Sequence, residues 1–380
     1  MRDAHDGSVT SVVVPGATPK LIHEARRIEL ENLLKRLKMP KLPGVCLVAS
    51  TSFGDYDAAF WLRLIHQDLI SMVVLNRSLI GTLVIVLFAN GVDAQELSVT
   101  TTENTVLVAE ADRPVLVYQR ATKSLDGLMP RAGYVHPLYG LDGQELTEDF
   151  PSDHRHHRGV FWAWHQVWVG DQQLGDPWLC KDFQWDVQSV ETKAGDDSVA
   201  LLALVHWRSP QYVDDAGTAV AIIEERTGIT VHSRQLTYRL IDFDISLRAL
   251  VGDVSIGGSD DSKGYGGFSP RIKLTPDQRF RSEAGELEPI RTAMDAGPWV
   301  DVADQQWGLT IIAHDQNPGT VGKWILRRRR SMQNAVYPGR EPALVSEKTP
   351  TRLRYRLVVH DGTITPEQIN QLHASWNAIP

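Results

Sequence analysis

The stretch from Phe150 to Trp168 concentrates the groups of this chain that can move protons, bind a metal or stack on a ring. It reads Phe-Pro-Ser-Asp-His-Arg-His-His-Arg-Gly-Val-Phe-Trp-Ala-Trp-His-Gln-Val-Trp, so His154, His156, His157 and His165 stand close to Asp153, Arg155 and Arg158. Histidine titrates near neutrality and a neighbouring carboxylate such as Asp153 can fix its tautomer, which makes general acid/base work the chemistry these residues suit best. His154, His156 and His157 also have a spacing that invites a divalent metal such as zinc, copper or iron. Arg155 and Arg158 argue against a cation there, and for an anionic or hydroxyl-rich ligand. No second clear ligand pair accompanies the cluster, so a divalent metal is the one cofactor considered and none is required. Trp162, Trp164 and Trp168 offer indole faces on which a sugar can stack; the alternative is that some of them pack the core.

Two other groups could share this site. Asp260-Asp261-Ser262-Lys263-Gly264-Tyr265-Gly266-Gly267-Phe268-Ser269 is followed by Arg271. Its glycines permit tight turns beside a ligand, and Lys263, Tyr265 and Arg271 can handle protons or oxyanions, with plain turn chemistry as the alternative. No Gly-Lys-Ser/Thr end or following helix supports a phosphate loop. His314 ends the apolar run Leu309 to Ala313, a position typical of a site residue. The expected catalytic set is His156, His157, Tyr265, His314 and Asp153; the expected substrate contacts are Arg158, Trp162, Trp164, His165, Lys263 and Arg271. Glu224-Glu225-Arg226 and the basic run Arg327 to Arg330 read as solvated strand ends. A serine hydrolase is disfavoured, because no Gly-x-Ser-x-Gly elbow is present.

Strands must position these residues. Runs of period two recur at 105–110, 115–119, 160–169, 198–207, 219–225, 230–240, 243–250, 309–313 and 352–360, separated by turn signals such as Asp142-Gly143 and Asn317-Pro318-Gly319. In the run from Val160, Trp162 and Trp164 share one face while Phe161, Ala163 and His165 share the other. Many strands and few helices predict an all-β fold, a large antiparallel sandwich. The exception is C-terminal: Thr365, Pro366 and Gln368 form a helix start with a capping box, and Ile369, Leu372, His373 and Trp376 fall on one side.

The 380 residues carry 42% hydrophobic content and a formal charge of -8, enough apolar mass for a full core and the wrong sign for a nucleic-acid partner. Met72 to Ala94 has a positive start at Arg77, an apolar block over 79–89 and a Val92-Asp93-Ala94 end, the pattern of a secretory signal peptide. The block is short for a membrane span, which needs roughly 20 apolar residues. The organisation expected is upstream sequence over 1–71 translated in error, disordered or irregular, with Met72 as the true start, then a leader over 72–94 and one sandwich domain over 95–380; the alternative for 1–71 is a real extension with an amphipathic helix over 21–39. Export after cleavage near Ala94 follows, with anchoring by residues 79–92 as the alternative and no stable span in the mature chain. Of the two cysteines, only Cys180 then remains, and it reads as a small buried residue rather than a nucleophile.

Asp153 to Trp164 with its His-His-Arg-Gly core, Gly264-Tyr265-Gly266-Gly267-Phe268 with Arg271, and His314-Asp315-Gln316-Asn317-Pro318 with Trp324 together resemble a bacterial family labelled "methane oxygenase PmoA", largely a domain of unknown function. The resemblance covers most of residues 110–362. It implies a secreted β-rich protein that keeps company with sugar-degrading enzymes; methane oxidation is not carried over, since the membrane subunit of that name is an integral membrane protein. The expected architecture is similar to the galactose-mutarotase supersandwich. The expected function is an exported carbohydrate-active enzyme taking a small-molecule sugar, glycan or oxidised glycoside through histidine acid/base chemistry, with lyase, hydrolase and epimerase unranked. A non-catalytic glycan-binding sandwich and a metal-dependent oxygenase are the two alternatives.

Overall fold

The computed structural model describes residues 96–330 and 332–379, together with the backbone of three strands further upstream. The chain divides into two units, Met1–Val92 and Asp93–Pro380. In the first, Cys46–Ser50, Phe60–His66 and Leu69–Leu75 pair antiparallel in sequence order. The stretch expected to be irregular therefore contains strands, which the sequence shows only as mixed apolar runs without clean alternation. The segment at 21–39 lies outside the described residues, as does the expected leader apart from Met72 to Leu75.

The second unit is built on two nine-stranded antiparallel sheets. One runs, edge to edge, Met294–Asp295, Lys323–Ile325, Asn334–Val336, Gly266–Pro270, Val160–Trp164, Tyr134–Leu138, Arg113–Gln119, Thr105–Glu110 and Leu97–Thr101. The other runs Gln184–Ala194, Ser198–Val213, Ala219–His232, Tyr238–Ala249, Thr351–His360, Gly308–Ala313, Trp299–Ala303, Arg279–Ser282 and Gly285–Leu287. The protein is thus an all-β antiparallel sandwich. Strands such as Tyr238–Ala249 alternate strictly between buried and half-buried residues, because only one of their faces meets the core. Trp162 and Phe268, which are cross-strand partners in the first sheet, meet Phe243 and Tyr355 of the second: ring centroids lie 6.3 Å apart for Trp162 and Phe243, 5.0 Å for Phe243 and Phe268, and 4.5 Å for Phe268 and Tyr355. This aromatic stack joins the sheets through the middle of the sandwich.

Several sequence-based boundaries move. The run 160–169 is two strands, Val160–Trp164 and Gln166–Val169, which break at His165 and enter different sheets. The runs 219–225 and 230–240 are not separate strands: Ala219–His232 continues through Gly228, and the turn falls at 233–237. The C-terminal helix, Pro366–Asn377, forms as expected, with Thr365 accepting from the Gln368 amide and the reciprocal capping bond in place. Its Ile369 and Trp376 pack on Trp299, Ile312 and Val358 on the outside of the second sheet. Among the described residues no helix is long and apolar enough to cross a membrane.

Candidate functional site

Strands Val160–Trp164 and Gly266–Pro270 are buried on both faces. Their inner face carries Trp162, Trp164 and Phe268 into the core, while Phe161 and Ala163 on the outer face join Tyr134, Trp178 and Met332, with Tyr265 packed alongside. Over this outer cluster opens a cavity of about 320 Å³ lined by His154, His156, His157, His165, Trp178 and Tyr265, with Met332 and the arginines 327, 329 and 330. That volume is within the range of small-molecule sites.

The histidine loop is fastened from below by two buried arginines. Arg158 donates to Asp149 Oδ1 at 2.6 Å, to the Met129 carbonyl and to the Tyr134 hydroxyl, and its guanidinium lies 3.7 Å from the centre of the Phe150 ring. Arg271 donates to Glu148 at 2.8 Å, to Asp153 Oδ1 at 2.8 Å and to His157 Nδ1 at 3.1 Å. Neither reaches the cavity, so both expected substrate contacts are corrected to positioning residues: planar, permanently charged groups that satisfy several loop acceptors at once. Gly159 closes the loop at φ 39°, where a Cβ would collide with the Val135 carbonyl oxygen.

Burial, more than these fasteners, sets the protonation of the rings. Burial, reinforced by His154 and His165, pushes the His156 imidazole down to about 4. Burial, with His156 and Arg271 beside it, pushes His157 to about 2. His157 is therefore neutral at pH 7, and since Arg271 can only donate to its Nδ1, its single proton sits on Nε2. His154 Nδ1 lies 2.7 Å from Asp153 Oδ2, and His165 Nδ1 lies 2.9 Å from Asp176 Oδ2, so both rings donate to a carboxylate and keep Nε2 for a ligand. Burial pushes the Asp153 carboxyl up, but His154 and Arg271 outweigh it and hold it at about 2. His156 has ring contacts to His154 and His157 and no hydrogen bond among the described residues.

Trp178 forms the aromatic wall. Its amide bonds to the Trp164 carbonyl at 2.9 Å, its indole stacks on His165 with centroids 5.3 Å apart, and Tyr265 lies 5.5 Å away. Asp176 accepts the Leu179 amide through Oδ1 while Oδ2 holds His165, so one short turn fixes both. Burial raises Tyr265 above the usual phenol range.

The structure brings together His154, His156, His157, His165, Asp153 and Tyr265, with Arg271 bonded to Asp153 and His157 behind them, and leaves Arg158, Trp162, Trp164, Lys263 and His314 off the cavity lining. Trp162 and Trp164 are fully buried core residues, and Trp164 donates to the Tyr337 carbonyl, so neither can stack on a ligand. His314 lies under the C-terminal helix, bonded to Arg354 and 5.0 Å from the Trp376 ring, and does not line the cavity. Lys263 pairs with Asp261 at 2.6 Å beside the Tyr265 ring rather than facing a ligand. The glycines at 266 and 267 serve packing, because side chains there would strike Trp164 and the Ala335 carbonyl. Glu225, read as a solvated strand end, is buried and accepts from Trp207 at 2.9 Å and Thr227 at 2.8 Å. Of the run Arg327 to Arg330, read likewise, Arg327, Arg329 and Arg330 reach the cavity because Gln333 bonds to both the amide and carbonyl of Arg327, and its own amide bonds to the Pro270 carbonyl beside the site.

A three-histidine metal set is not formed. The rings of His154 and His157 are parallel within 4° and stacked 4.8 Å apart, so their in-plane lone pairs cannot meet at a cation about 2 Å from each nitrogen. His157 Nδ1 is moreover taken by a guanidinium. Among the described residues no group of three or more His, Cys, Asp or Glu side chains is arranged to hold a metal.

A candidate mutarotase from Salmonella typhimurium, YeaD, is 12% identical, with 70% of this chain and 94% of that chain covered at a TM-score of 0.33. Galactose 1-epimerase from Lactobacillus acidophilus NCFM is 8% identical, with 84% and 99% covered at a TM-score of 0.35. No curated protein matches this chain. Residues 105–374, well over half of the chain, match the model of a family of unknown function, DUF6807, and the protein belongs to that family.

Proposed function

We propose that the cavity is the active site of a carbohydrate-active enzyme that works on a sugar or oxidised glycoside by histidine acid/base chemistry. One observation carries the reading: His156 is neutral near pH 7, free of hydrogen-bond partners among the described residues, and open to a cavity of monosaccharide scale. In this reading His156 accepts the proton, and His165, oriented by Asp176, supplies the opposing acid or base through Nε2. His157 offers its Nε2 proton to a substrate oxygen, and Tyr265, backed by the buried Trp178, receives the apolar face of the ring. Lyase, hydrolase and epimerase reactions can all begin with such a proton transfer. In this reading residues 72–94 are a leader that exports the enzyme; N-terminal sequencing of exported protein should then begin at Gln95, and recovery of an intact Met72 segment would contradict this.

The test is NMR-monitored turnover of a panel of sugars and oxidised glycosides by the full chain and by His156→Ala. A substrate is expected whose turnover falls by about 10²- to 10⁴-fold in the variant. Unchanged turnover in His156→Ala would sink the assignment. The aromatic wall of Trp178 and Tyr265 also suits a glycan-binding module without catalysis, which the same panel would reveal as binding with no product. An oxygenase, as the resembling family's label suggests, would need a ligand set that the stacked rings of His154 and His157 do not provide.

A further inference from the structure

The ionisable groups lining the cavity are three arginines and four histidines, with no Asp or Glu among them. The carboxylates next to the lining are already engaged, Asp153 by Arg271 and His154 and Asp176 by His165. In a chain of net charge -8, this is a local reversal of sign. The four consecutive arginines differ in their engagement. Arg328 pairs with Glu288 through two nitrogens and donates to the Gln278 carbonyl. Arg327 is spent on the carbonyls of Ile290, Leu326 and Arg291 and lies 5.4 Å from the Tyr265 ring centre. Arg329 and Arg330 are exposed, line the cavity, and have no ion-pair or hydrogen-bond partner among the described residues.

Two adjacent guanidiniums without acceptors, at the rim of a cavity free of carboxylates, form a receptor for an anionic group. Arginine is suited to this because its planar fork matches carboxylate and phosphate oxygens. We propose that the cavity holds its ligand through an anionic group, carboxylate or phosphate, captured by Arg329 and Arg330 while the histidines face the rest of the molecule. Taken with the carbohydrate reading, on which only the sugar part rests, the ligand is an acidic monosaccharide unit.

The experiment is calorimetric titration of the full chain with D-glucuronate, glucose 6-phosphate, D-glucose and inorganic phosphate, repeated with Arg329→Gln, Arg330→Gln and the double variant. These side chains are exposed, so the variants should fold as the parent does. Expected is binding of at least one acidic sugar, D-glucose being weaker, with about a tenfold loss for each arginine removed and weakening in roughly 1 M salt, where screening reaches within about 3 Å. Preference between glucuronate and glucose 6-phosphate identifies the anion. Inorganic phosphate binding as tightly as either, with the same arginine dependence, would uphold the anion receptor and count against the sugar reading. D-glucose binding as tightly as the acids, unaffected by the double variant, would overturn the inference and leave the sugar reading standing. No binding of any of the four would overturn both.

Discussion

At the residue scale, His156 and His157 hold their protons less tightly in the folded protein than the ordinary imidazole value of 6.5, at about 4 and about 2. Below 6.5 the unfolded chain therefore binds more protons than the native one, and stability must fall as pH drops from 6.5 through 4. Denaturation midpoints across that interval should show His156→Gln with a shallower decline than the parent; parallel declines would remove His156 from the account. Gly159 gives a second residue-level prediction. Its positive φ and the Val135 carbonyl leave no room for a methyl group, so Gly159→Ala should cost about 3 kcal/mol or more in chemical denaturation. Arg271→Met should cost a similar amount, about 3 kcal/mol, because it leaves Glu148 and Asp153 without their buried partner.

At the scale of elements, the strand Val160–Trp164 separates two kinds of aromatic residue. Trp164→Ala should cost about 3–5 kcal/mol of stability by opening the core, while protein that remains folded binds ligand normally. A specific loss of binding in fully folded Trp164→Ala would contradict this placement. Period two in the sequence does show that Trp162 and Trp164 oppose Phe161 and His165. It does not show which face meets the second sheet, because both faces of this strand are buried. The wall residue Trp178 sits in an irregular turn, where no periodicity marks it; its nearness to the histidines in sequence was the available signal. The two loop arginines were visible as charge, but their burial under Phe150 and against Glu148 depends on partners up to 123 residues away.

On the scale of the whole molecule, alternation and turn residues were enough for an antiparallel sandwich with one capped C-terminal helix, since both signals are local. The pairing of His314 with Arg354 beneath that helix was not legible, because it joins segments 40 residues apart. The cationic cavity in an acidic chain was hidden for the same reason: the run Arg327 to Arg330 looks solvated until Gln333 and Pro270 bring it beside the histidines. The central proposal is that a neutral His156 receives a proton in the cavity. The most direct test is the pH dependence of kcat/KM for the substrate found in the sugar panel. The rate should hold from neutral pH downward and fall with a midpoint at about 4, a limb lost from the residual activity of His156→Ala. A midpoint at the ordinary imidazole value, retained in that variant, would assign the proton transfer to another histidine.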